Sequence, residues 1–390
     1  MAGRSAGACC ARGWAHSAKL LPKVKLLIHG RFYPSVGGIE TVLRLLVTEW
    51  QRSGENVIVV SDVAGPPKTE EHFPFAVHYR PGPLRWLSLM RWTDVFVHMN
   101  LSLKALWPRF LVPKPFIGVH HGFYYSDSIS GRRDWRERLK LRVLPGARHI
   151  AVSEAVASRL PVECTVIPNP FDHSVFKVTG DNQSGGELIC VGRLVSEKGI
   201  ELLLRSLDRL RDQGLRPRLT IVGEGPERGF LERLVLHLNL TAQVTFAGCC
   251  APEQVAALLR RHAILVVPSL YEEAFGVVAL EGAACGCVVL GSNGGGLPQA
   301  IGPAGFTFRR GDLSDLTTKL SYLLAQPNDL ERYRRAAPEH LRQHQPKEVA
   351  SRYVSVFKQA VGSTRRPTGP RAVHGRSPTA AASGKVLRNS

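Results

Sequence analysis

The stretch AILVVPSLYEEAFGVVALEGAACG, residues 263–286, decides the fold. "AILVVPSL" reads as a short buried strand, "YEEAF" as a loop and "GVVALEGAACG" as a helix stopped at Gly286. A buried strand that passes through a brief loop into a helix is one βα unit of a parallel sheet. Loops after parallel strands lie at the carboxyl edge of the sheet, where ligands bind. Gly276 then stands at the helix start with bare amides facing that edge, a favourable place for phosphate oxygens. Glu273 precedes the helix and Glu281 falls in its second turn. Carboxylates suit sugar and ribose hydroxyls, because each accepts two hydrogen bonds from a diol. Taken alone, the pair has a plainer alternative: Glu273 as a helix cap and Glu281 as a surface residue.

The same rhythm extends outward. "VKLLIH" (24–29) is a first strand, and "IETVLRLLVTEWQRSG" after it has apolar residues at helical spacing and a stop at Gly54. "NVIVVSD", "VFVHMN" (95–100), "FIGVHHG" (116–122) and "HIAVSE" (149–154) continue the series, and "CTVIPNPFD" (164–172) closes the first half. The polar stretch at 177–187 marks a boundary, after which "LICVGRL", "RLTIVGEG", "QVTFAGCC", "AILVVPSL" and "VVLGSNGGG" repeat the pattern. The expected fold class is therefore α/β, with two doubly wound, Rossmann-like parallel-sheet domains at 24–176 and 188–345. A helix is expected at 346–362, with the option of crossing back to the first domain. Residues 1–23 read as an N-terminal extension and 363–390 as a disordered basic tail.

Length supports two domains, since 390 residues exceed what one core usually serves. The formal charge of +19 is uneven. Residues 1–25 hold five Lys/Arg and residues 363–390 six, neither with an acid, and the remainder carries 40 basic against 32 acidic side chains. That balance suits anionic ligands or an anionic membrane surface. No aromatic run accompanies the basic tails, so nucleic acid is not expected as a partner. The eight Cys form no CxxC pair and read as free thiols of a reducing compartment, with no metal site. No apolar run approaches the roughly 18 residues of a membrane span.

Three further loops carry chemistry. "YPSVGGIE" opens the first helix, so Gly37 and Gly38 either admit a phosphate to backbone N–H groups or form a tight turn. "VGRLVSEKG" sets Arg193 and Lys198 after a strand, placed either to neutralise a diphosphate or as a solvated charge pair. "VGEGPERG" has GxGxxxG spacing and no acid about twenty residues on, so Gly223 and Gly225 are turn glycines and NAD is not expected. Two basic segments, "RPGPLRWLSLMRW" (80–92) and "GRRDWRERLKLRVL" (131–144), interleave cations with Trp86, Met90, Trp92, Trp135 and Leu139. Each is either a surface for anionic lipid or a partly buried helix.

As an ordered set these motifs resemble the retaining, GT-B-fold glycosyltransferases of family four, also called group one. "YPSVGGIE", "VHHG", "AVSEAV", "VIPNPFD", "VGRLVSEKG", "IVGEGPER", "PSLYEEAFGVVALEGAACG" and "GGGLPQAIG" carry the resemblance over roughly residues 24–360. It implies two domains facing across a cleft, and Glu273 holding hydroxyls of the transferred sugar with Glu281 on the nucleotide ribose. Amides around Phe275 and Gly276 would meet the diphosphate, and Arg193 and Lys198 its charge. Gly37 and Gly38 would line the phosphate and acceptor side, and His121, rather than His120, would contact the donor sugar near the reacting carbon. Two positions depart from the family pattern: Gln299 where Glu is usual, and Pro170 where Gly is common. No Asp-x-Asp occurs, so a metal held by that motif is not expected, and no cofactor beyond the nucleoside-diphosphate sugar, which is itself a substrate. The expectation is a transferase acting on a polysaccharide or lipid-linked glycan, cytoplasmic or peripheral on the inner face of the plasma membrane. The alternatives are a nucleotide-sugar epimerase and a catalytically silent scaffold.

Overall fold

The computed structural model describes residues 23–34, 37–66, 73–124, 135–142, 144–179 and 188–365. The first half begins with β1 (Lys25–His29), α1 (Gly38–Arg52), β2 (Asn56–Ser61), β3 (Ala76–Tyr79), α2 (Pro83–Trp92) and β4 (Val95–Met99). It continues through α3 (Trp107–Leu111), β5 (Phe116–His120), α4 (Trp135–Arg142), β6 (Arg148–Ala151), α5 (Glu154–Ala157) and β7 (Thr165–Val166). The second half opens with β8 (Leu188–Val191), α6 (Ile200–Asp212), β9 (Leu219–Val222), α7 (Arg228–His237) and β10 (Val244–Gly248). There follow α8 (Pro252–Arg260), β11 (Ile264–Val267), α9 (Val277–Ala284), β12 (Val288–Ser292), α10 (Leu297–Ile301) and β13 (Gly305–Phe308). Three helices end the chain: α11 (Leu313–Ala325), α12 (Pro327–Gln343) and α13 (Pro346–Arg365).

Each half is one parallel sheet, ordered β3-β2-β1-β4-β5-β6-β7 in the first and β10-β9-β8-β11-β12-β13 in the second. The central strands are mostly apolar and almost wholly buried because helices cover both faces. In β1, Leu26 and Ile28 feed one core cluster and Leu27 the opposite one, as alternation along a strand requires. Both sheets reverse direction of winding beside their first strand, at β1/β4 and at β8/β11, and the crevice outside such a switch point is where open sheets take ligands.

α13 returns to the first domain. Tyr353 and Phe357 pack against Trp50 of α1, tilted and edge-on, at 5.5 and 5.1 Å between ring centroids, and the Trp50 indole N–H donates to the Ala350 carbonyl at 3.3 Å. All three rings are fully buried, and each contributes on the order of 1.5–3 kcal/mol through burial alone. The two segments that pass between the domains are bonded to one another: the Phe171 N–H donates to the His344 carbonyl at 3.3 Å. His344 Nδ1 in turn donates to the Asn169 carbonyl at 3.1 Å.

Two strands, β3 and β13, were not foreseen from the sequence. Both are four-residue edge strands with partly exposed residues, too short for alternation to register. The lipid-facing reading of residues 80–92 is corrected. In α2, Trp86, Leu89 and Met90 are buried in the core beside Phe96, and Trp92 is half-buried, so these side chains do not form an insertion face. Leu84 is exposed. In the second basic segment Leu139 is partly exposed, and residues 131–134 lie outside the described residues, as do the side chains of Trp135 and Arg136. Among the described residues no helix is long and apolar enough to cross a membrane.

Candidate functional site

A cleft of about 870 Å³ lies between the two carboxyl edges, and all nine residues expected from the sequence line it. Gly37, Gly38 and His121 come from the first domain; Arg193, Lys198, Glu273, Phe275, Gly276 and Glu281 come from the second.

The second-domain group assembles at the β8/β11 switch point. The loop after β8 carries Arg193 and Lys198, and the loop after β11 carries Glu273. The two loops are joined where the Leu270 N–H donates to the Glu197 carbonyl at 2.8 Å. Gly199, at the start of α6, sits so close that a Cβ there would lie 2.1 Å from the Pro268 carbonyl oxygen, and its φ of +66° is one that glycine adopts freely. That approach brings Lys198 Nζ to 2.7 Å from Glu273 Oε1. The ammonium also donates to the Tyr271 hydroxyl at 3.1 Å. Ser269 donates to Glu273 Oε1 at 2.7 Å and Tyr271 to Oε2 at 2.6 Å.

Glu273 is therefore not a helix cap but the hub of a buried polar cluster. Burial works to raise its pKa, and Lys198 together with the two hydroxyls outweighs it, so the carboxyl ends below its ordinary value. For Lys198, burial works against the charge, and the Glu273 carboxylate more than offsets it, so the ammonium is retained. Tyr271 is pushed up to about 12, by burial first and then by Glu273. Three of roughly four acceptor positions on Glu273 are occupied within the protein, leaving about one for a ligand hydroxyl. Tyr271 and Ser269 were not singled out from the sequence, although both lie in the opening stretch.

Gly276 precedes α9 with φ +97°, and a Cβ there would lie 2.6 Å from Leu297 Cδ1. The first turn of α9 contains no acid, so its free amides present an uncompensated positive end. Phe275 is buried against the His344 ring at 5.5 Å between centroids, which anchors that end. Glu281, one turn further on, is only partly exposed and not a surface residue. Burial, with a smaller push from Asp172, raises its pKa to about 7.

Across the cleft, the two adjacent histidines separate. His120 bonds to the Tyr124 hydroxyl at 2.5 Å and to His149 Nδ1 at 3.0 Å, inside the first domain. His121 is 6% exposed, and neither ring nitrogen has a hydrogen-bond partner among the described residues. Burial lowers its pKa to about 4 against a weaker opposing pull from Asn169, so the imidazole is neutral at pH 7. Asn169 is 7% exposed, and its side-chain oxygen likewise lacks a partner among the described residues. A buried polar pair of this kind costs free energy until something bonds to it. Asn169 was missed as a candidate, though it stands in "VIPNPFD", and so was Asp172, 3.8 Å from Arg44. Among the described residues no group of three or more His, Cys, Asp or Glu is placed to hold a metal ion.

Sequence families meet on this chain where the domains do. Residues 36–175 match the model described as Glycosyltransferase Family 4, and residues 173–340 the model described as Glycosyl transferases group 1. D-inositol 3-phosphate glycosyltransferase of Rhodococcus erythropolis is 33% identical over 320 residues, covering 75% of this chain and 69% of that one. Glycogen synthase of Mycobacterium tuberculosis is 33% identical over 233 residues, 57% of this chain and 56% of its own length. In fold, the chain is similar to sucrose-phosphate synthase of Thermosynechococcus elongatus, with TM-score 0.74 and 20% identity over 87% of this chain and all of that one. Anabaena HepE, solved in complex with UDP and glucose, gives TM-score 0.68 and 20% identity over 86% of this chain and all of its own. The two solved structures establish the GT-B architecture, the family models divide at the domain boundary, and the chain belongs to the group 1, family 4 glycosyltransferases.

Proposed function

We propose that this protein is a retaining, metal-independent glycosyltransferase that moves a sugar from a nucleoside diphosphate to a polysaccharide or lipid-linked glycan acceptor. The observation that carries this reading is the meeting of Arg193, Lys198 and the acid-free amino end of α9 in one cleft. Two cations and a set of bare amides suit a departing diphosphate. The acceptor hydroxyl attacks the anomeric carbon from the face that the diphosphate leaves. The carbon–oxygen bond to phosphate breaks with its electron pair on the diphosphate, which takes the hydroxyl proton, and configuration is retained. Glu273 binds a hydroxyl of the transferred sugar through its remaining acceptor position, and Glu281 binds the nucleotide ribose. His121 and Asn169 face the sugar from the first domain as neutral hydrogen-bonding groups. UDP-sugars are the first donors to try, given the UDP bound to Anabaena HepE.

The deciding experiment is a thermal-shift screen of nucleoside-diphosphate sugars followed by a transfer assay on the hits. A true donor at 100 times its dissociation constant stabilises the fold by about 2.7 kcal/mol. Transfer to an added glycan acceptor separates this reading from an epimerase, which interconverts the donor with no acceptor present. A protein that is stabilised by no nucleotide sugar, and transfers none, is a silent scaffold instead.

A further inference from the structure

The loop that carries Glu273 is also held from the opposite side of the cleft. Ser153, fully buried at the start of α5, donates its hydroxyl to the Ala274 carbonyl at 2.7 Å and accepts from the Val156 N–H at 3.2 Å. Arg159, six residues on, reaches the Glu272 carboxylate at 3.1 Å. The Glu154 N–H donates to the Gln299 side-chain oxygen at 3.1 Å. Both neighbours of Glu273 in the chain are thus gripped by the first domain, while the Glu273 carbonyl accepts from the Gly296 N–H of the second at 2.7 Å. These contacts differ in weight. The Ser153 hydroxyl is fully buried and its bond to the Ala274 carbonyl part-buried, whereas the Arg159 side chain is 50% exposed and its ion pair is weakened by solvent.

We infer that Ser153 is a positioning residue for the donor sugar: by holding the Ala274 carbonyl across the cleft it sets where the Glu273 carboxylate stands, with Arg159 a weaker second brace. This rests on the reading of Glu273 as the carboxylate that binds the transferred sugar. α9 is anchored separately, by Phe275 on His344 and by the packing of Gly276 against Leu297. The α9 amides are therefore anchored without Ser153, and the Glu273 carboxylate is not. The sugar subsite is complete only while the two domains touch, which ties recognition of the sugar to closure of the cleft.

The test compares Ser153→Ala and Arg159→Gln with the wild-type chain in two measurements. Hydrogen–deuterium exchange without added nucleotide reads the brace itself, and calorimetric titration with UDP-glucose and with UDP reads its effect on the sugar. Where the uridine pair gives no heat, GDP-mannose and GDP replace it. In Ser153→Ala, uptake in the 270–275 segment rises and UDP-glucose binds about fivefold more weakly, while UDP binds within about twofold of wild type. Arg159→Gln, which leaves the α5 cap intact, shifts both readings the same way by a smaller factor. Unchanged uptake in Ser153→Ala overturns the inference, and so does an equal loss of affinity for UDP and UDP-glucose. A wild-type chain that binds neither pair defeats the donor reading, and with it the positioning role, while the uptake comparison still decides whether the brace exists.

Discussion

The two domains present the same device to the cleft and equip it differently. In each, a strand passes through a glycine turn into a helix whose amino end faces the other domain. At the first, Gly37 is extended, with φ −179°, and Glu40 in the opening turn of α1 folds its carboxylate back over it, 3.8 Å from Arg31. At the second, Gly276 takes φ +97°, and no acid stands in the opening turn of α9. One amino end is already faced by a carboxylate of its own helix and the other is left for a ligand's anion. The contrast leads to an expectation: of two glycine turns of matching topology, the one without an acid in its first helical turn takes the phosphate.

The largest expected effect breaks the second domain's side outright. Glu273→Gln lowers the rate of sugar transfer by about 10²–10³, the range for loss of one preorganised electrostatic contact. Glu273→Ala adds a cost in stability, since Lys198 is left without its carboxylate. About 2–3 kcal/mol is expected in urea unfolding, less than for a sealed pair because 26% of the Lys198 side chain reaches solvent. Full activity in the Gln variant removes Glu273 from the chemistry.

The next effect sharpens the contrast between the turns. Gly276→Ala forces a Cβ into a left-handed conformation and against Leu297, costing about 1–2 kcal/mol and weakening donor binding about tenfold. Gly37→Ala meets the Glu40 carboxylate, 2.5 Å away at the far end of a flexible side chain, and changes stability by less than about 0.5 kcal/mol. Equal losses at the two glycines, read by thermal unfolding and donor titration, would erase the distinction.

A third prediction concerns pH. Glu281 titrates at about 7 against an ordinary value of 4.5, because burial favours its neutral form. Its folded value is raised, so its contribution to stability is full below about 4.5 and is lost as pH rises through about 7. With Glu281 in its proposed place on the ribose, donor binding is expected to run the other way, strengthening above pH 7 as the carboxylate forms. Glu281→Gln flattens both profiles; a donor affinity that keeps its slope in that variant assigns the titration elsewhere. The smallest effect is at Glu40→Gln, where donor affinity changes by less than about twofold if α1 takes no part of the diphosphate. A clear gain in affinity shows instead that Glu40 was holding an anion away.

Much of this was legible in the sequence because it is local. A buried strand, a short loop and a helix form a contiguous pattern, so Arg193, Lys198, Glu273 and Gly276 could be placed at one sheet edge by counting. What escaped depends on contacts between distant segments. The bond from Lys198 to Glu273, 75 residues away, forms through a loop-to-loop approach that no periodicity encodes. Tyr271 and Asn169 gain their meaning only from neighbours brought in by tertiary structure. Trp86 and Met90 erred in the other sense: beside arginines they looked amphipathic, and only packing on β4 shows which face is interior.

The return of α13 has a mechanical consequence. The polypeptide passes between the lobes twice, and at Phe171 and His344 the two passages are stitched side by side. That seam, with the Ser153–Ala274 and Arg159–Glu272 contacts, ties the lobes at several points, so they cannot slide or twist freely past one another. Asn169 lies at the seam, and Ser153 bonds to Ala274, the neighbour of Phe275, whose ring packs on His344, so both stand close to the line about which the lobes would rock.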